Sequence, residues 1–74
     1  MTKIVFDYSK LRGRIVEKGY TQGKLAETLG ISEQSFSKKM QNKISFSTDD
    51  ITIIASALEI VPEEIGSYFF TVLV

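Results

Sequence analysis

Gly30 constrains this chain more than any other residue. It interrupts TQGKLAETLGISEQSFSKKM, residues 21–40, whose two halves each carry a helix-start residue and apolar residues at helical spacing. Thr21 is suited to cap a helix from Gln22 to Leu29 with an apolar side of Leu25, Ala26 and Leu29. A helix C-terminus favours glycine in the left-handed region, so Gly30 stops that helix, and Ile31 behind it can dip back into a core. Ser32 then caps a third helix through about Gln41, with Phe36 and Met40 one turn apart. The glycine therefore sets a bend between two short rods, each with one side to bury.

The flanks read as further helices around the same core. Asp7 or Ser9 caps a first helix carrying Leu11, Ile15 and Val16, which Gly19 ends; Gly13 inside it costs about 1 kcal/mol relative to alanine. Asn42 to Phe46 reads as a loop. Ser47, followed by Asp49 and Asp50, opens a fourth helix through Leu58. The β-branched run Ile51-Thr52-Ile53-Ile54 favours strand by propensity, yet Ile51, Ile54, Ala55 and Leu58 share one helical face, and helix is the better reading. Pro62 starts a short fifth helix that Gly66 ends. Thr2 to Phe6 is β-prone, and Tyr68 to Val74 is aromatic and β-branched, so both termini are expected to be extended. At 74 residues, 43% of them hydrophobic, the chain has material for one all-α domain and one core, with residues 1–6 and 67–74 as terminal segments or short strands.

What is missing narrows the chemistry. Cysteine and histidine are both absent, which removes disulfides, thiol nucleophiles, cysteine- or histidine-based metal sites and histidine acid/base catalysis. Asp49 and Asp50 read as carboxylates favouring a helix start, since no base or nucleophile accompanies them. No enzyme activity and no cofactor is expected. Ile4-Val5-Phe6 is too short for a secretory h-region and the C-terminal run too short to span a bilayer, so the expectation is a soluble cytoplasmic protein.

Charge is balanced in total and skewed along the chain. Residues 1–43 hold all nine Lys and Arg against four acids, a net +5, whereas residues 44–74 hold five acids and no base, a net −5. Two faces of opposite sign are expected, one of which can meet phosphate. Lys10, Arg12, Arg14 and Lys18 on the first helix are read as solvated charges.

Two helices bent at a glycine, the second polar and basic on its outer side, form a helix-turn-helix, which places the second helix in the DNA major groove. On the set TQGKLAETLGISEQSFSKKMQNK followed by SFSTDDITIIASALEIVPEEI, the chain resembles the small phage-repressor and Cro-like proteins of the lambda-repressor-like (XRE-type) superfamily over about residues 7–66. The resemblance implies five helices and an operator DNA partner. It implies that Gln22 meets phosphate and that Glu33, Gln34, Ser35, Ser37 and Lys38 face bases. Lys39, Asn42 and Lys43 would hold phosphates, and Glu33 is the awkward member, a carboxylate facing a polyanion. One departure is Lys39, which stands where the family carries a second apolar anchor; Met40 is the substitute. Gln34, Ser35 and Ser37 also read as ordinary solvated residues.

Tyr68 to Val74 would be an aggregation hazard if bare. Its cover is expected to be Ile4 to Phe6 of the same chain, with a homodimer through this segment, or another protein, as the alternatives. Two functions follow. The first is a sequence-specific DNA-binding transcriptional regulator, with the third helix in an operator groove. The alternative is an antirepressor or modulator that uses the same fold to bind a partner phage repressor, which the neutral total charge, Glu33 and the apolar tail favour.

Overall fold

A computed structural model of the protein describes residues 4–73. Five α-helices follow in order: α1 (Ser9–Glu17), α2 (Gln22–Leu29), α3 (Glu33–Met40), α4 (Thr48–Ala57) and, after a 3-10 turn at Pro62–Glu64, α5 (Ile65–Phe69). The helices enclose one core, in which Leu11, Leu25, Phe36, Ile54, Leu58 and Phe69 are each under 2% exposed. At about 1.5–3 kcal/mol per fully buried apolar side chain, this core is what holds together a chain without disulfides. Phe46, in the loop before α4, joins its parts: its ring stands edge-on to Tyr8 (5.4 Å), Phe36 (6.1 Å) and Phe69 (5.4 Å).

Three helices begin as their sequences dictate. The Thr21 and Ser32 hydroxyls accept from the backbone N–H groups of Lys24 and Ser35, both at 3.1 Å. Ser47 accepts from the Asp50 N–H while the Asp50 carboxylate accepts from the Ser47 N–H, closing a capping box. That box and the burial of Ile54 and Ala55 make a helix of the β-branched run.

The helix ends share one device. Gly19, Gly30, Asn42 and Glu59 have φ of 76°, 74°, 64° and 55°, following α1 to α4 in turn. After each, the next residue's N–H bonds back five positions, as in Ile31 to the Ala26 carbonyl at 3.0 Å and Ile60 to the Ala55 carbonyl at 2.8 Å. Glycine makes this turn without strain, whereas Glu59 takes a conformation that costs a β-carbon-bearing residue roughly 1–2 kcal/mol. Side chains of α1 hold it there. The Arg14 guanidinium donates to the carbonyls of Leu58 and Glu59, both at 2.9 Å, and the Lys18 ammonium pairs with the Glu59 carboxylate at 2.8 Å. The last turn of α4 carries no base of its own, so α1 supplies cations to its negative end.

The C-terminus departs from the sequence expectation. α5 does not stop at Gly66 but runs to Phe69, and Tyr68 and Phe69 are buried instead of standing in a strand. Burying these two rings in the core outweighs their β propensity. Among the described residues, extended structure is reduced to one antiparallel bridge, Phe6 with Val72, flanked by Asp7 N–H to Thr71 C=O (2.7 Å) and Leu73 N–H to Val5 C=O (2.8 Å). The N-terminal segment does cover part of the tail, with Phe6 edge-on to Phe70 at 5.8 Å. Residues 1–3 and 74, parts of the two expected terminal segments, lie outside the described residues.

Candidate nucleic-acid interface

α2 and α3 cross at Gly30 and pack on each other and, through α2, on α4. Leu25, Ala26, Phe36 and Met40 are buried along the inner side, so Met40 and not Lys39 is the second anchor of α3. This fixes the rotation of α3 and leaves Glu33, Gln34 and Lys38 exposed, with Ser35 and Ser37 half-buried.

The expected contact residues divide into free and engaged. Gln34, Lys38 and Lys43 are exposed and take part in no side-chain hydrogen bond or ion pair found among the described residues. The Ser35 hydroxyl accepts from the Ser32 hydroxyl at 3.0 Å and the Ser37 hydroxyl from the Gln41 amide at 2.9 Å, weak ties at an exposed surface. Lys39 is folded inward: its side chain is 13% exposed, and its ammonium lies 2.9 Å from the Asp50 carboxylate and 3.1 Å from the Ser45 carbonyl. Burial pushes the Asp50 carboxyl up, but the Ser47 N–H, the Lys39 ammonium and the Ser47 hydroxyl outweigh it and hold it below the usual carboxylate range. Asn42 is also engaged, its amide accepting from the Phe6 N–H at 2.8 Å and donating to the Phe6 carbonyl at 2.9 Å.

Gln22, half-buried at the start of α2, borders a cleft of about 260 Å³ with Arg12, Ile15, Val16 and Tyr20. The neighbouring N-terminal turn, where free amides would receive a phosphate, already faces an anion. The Glu33 carboxylate leans across it so closely that a β-carbon on Gly23 would come within 3.0 Å of Oε1. A carboxylate here gains from the helix dipole and repels a second anion.

The cations of α1 are not simply solvated. Besides Arg14 and Lys18, Lys10 donates to the Ser67 hydroxyl at 2.9 Å and sits 4.6 Å from the centre of the Tyr68 ring. The expected separation of charge is therefore blunted by ion pairs that cross it, Lys18 with Glu59 and Lys39 with Asp50. A signal for this was present in the sequence: a ten-residue α4 with two acids in its first turn and no base in its last needs cations from elsewhere.

No curated protein matches the sequence. Among solved structures, the chain is similar to the solution structure of the modulator of repression (MOR) of the temperate bacteriophage TP901-1 from Lactococcus lactis, with 40% identity, coverage of 88% of each chain and a TM-score of 0.75. That neighbour shares the small all-α architecture and is a regulatory protein by its description. A family model described as "Protein of unknown function (DUF739)" matches residues 4–72, nearly the whole chain, and the protein belongs to that family.

Proposed function

We propose that this protein is a phage modulator of repression that acts by binding a partner repressor, and that its α2–α3 pair is a lambda-repressor-like helix-turn-helix that does not hold an operator unaided. Similarity to the TP901-1 modulator supports the class of function. The observation that carries the mechanism is electrostatic. The α3 side offers two uncommitted ammonium groups among the described residues, Lys38 and Lys43, because Lys39 is paired with Asp50, and Glu33 sets a carboxylate against the turn where phosphate would dock. The electrostatic part of DNA affinity grows with the number of phosphates that a protein's cations neutralise. Two such contacts beside a carboxylate support only weak association, with a shallow dependence on salt. Such a regulator works in the host cytoplasm, and no helix among the described residues is long and apolar enough to cross a membrane.

The exposure of Gln34 and Lys38 on one helix favours a second reading, an operator-binding Cro-like regulator, since a glutamine can pair with adenine and a lysine with guanine. A mobility-shift titration across salt, with operator DNA from the same phage and with or without the repressor, separates the two. The expected outcome is no shift by this protein alone at physiological salt and an altered repressor–DNA pattern when both are present. A specific shift by this protein alone, steeply weakened by salt, overturns the proposal in favour of the second reading.

A further inference from the structure

The terminal ribbon has one closed edge and one open edge. In the Phe6–Val72 bridge the bonds are made by the neighbouring residues, so the main-chain groups of Phe6 and Val72 point away from each other. Those of Phe6 are both taken by the Asn42 amide, which stands where the next strand would lie. The N–H and carbonyl of Val72 point to the opposite side and have no partner among the described residues. Sheet edges are ordinarily defended by charge, proline or a bulge. Here nothing between Ile65 and Val74 is charged, and no proline interrupts it.

We propose that the Thr71–Leu73 edge pairs with the same edge of a second copy of this chain, antiparallel about a two-fold axis at Val72. This assignment is independent of the function proposed above. A free donor and acceptor on one extended residue call for another extended backbone, and a two-fold interface needs a surface that complements itself. This segment meets that need: Val72 faces Val72 of the copy and exchanges both hydrogen bonds with it, Thr71 faces Leu73, and no like charges meet. Phe70, Val72 and Leu73 are 52%, 53% and 57% exposed, so apolar surface remains to be covered on both faces of the ribbon. Because the contact is short, the dimer forms reversibly and with concentration.

Sedimentation equilibrium of the full chain tests this, together with amide exchange at Val72. The mass is expected to rise from 8.3 kDa towards twice that value with concentration, and the Val72 amide to exchange more slowly as it does. Val72→Lys places like charges across the axis and should weaken the dimer by about fivefold, while unchanged circular dichroism and the same Asp7 and Leu73 amide protection show an intact ribbon. A chain that stays monomeric up to millimolar concentration overturns the proposal, as does a dimer that Val72→Lys leaves unaltered. Protection of the Val72 amide only when a repressor is added also overturns it and assigns the edge to a different chain.

Discussion

α1 and α3 are near twins on paper. Each is a short helix with two buried anchors, Leu11 and Ile15 in one and Phe36 and Met40 in the other, and each carries cations on the remaining sides. In the folded protein they part company. Arg14 and Lys18 close the end of α4 and Lys10 lies on Tyr68, so these α1 cations are spent on their own molecule. α3 spends Lys39 in the same way and keeps Lys38, with Lys43 just beyond it, for other molecules. A count of positive residues therefore overstates what a phosphate or an acidic partner would meet; what decides is which ammonium groups the fold has already used.

Substitution at the helix cations presses hardest on this contrast. Arg14→Ala removes both donors to the carbonyls ending α4 and releases the strained Glu59 turn, so the melting temperature should drop by about 5 °C, measured by calorimetry. No drop would mean that α1 is as uncommitted as α3. A smaller effect belongs to the Lys39–Asp50 pair. The Asp50 carboxyl titrates below its unfolded value, so its stabilisation is complete above that value, about pH 3.9, and is lost as pH falls through the lower folded value. Asp50→Asn should flatten this part of the acid limb in urea titrations while removing stability at neutral pH. The smallest effect is expected at Lys38. Lys38→Ala should alter stability by no more than about 0.5 kcal/mol, and a larger loss would place Lys38 with the committed residues of α1.

Local signals made the bent pair legible. Thr21, Gly30 and Ser32 each act within a few residues of themselves, and the observed α2 and α3 lie where those residues put them. The box at Ser47 likewise lets a helical spacing prevail over a β-prone composition. The tail departs from its local pattern because its structure is decided at a distance: Tyr68 and Phe69 look like strand until the core that receives them is in place. The same holds for the candidate interface. Side-chain spacing predicted which residues of α3 face outward, whereas the internal engagement of Lys39 and Asn42 depends on Asp50 and Phe6, whose positions no local pattern reveals.

The Asn42 clip has a kinetic consequence. It ties the segment at Phe6 to the end of α3, and the Phe6–Val72 bridge then joins that segment to the last described residues. Bringing such remote segments together is entropically slow compared with winding helices from neighbours. The helical body should therefore assemble first and the ribbon zip shut last, which makes it the earliest part to open when the molecule breathes.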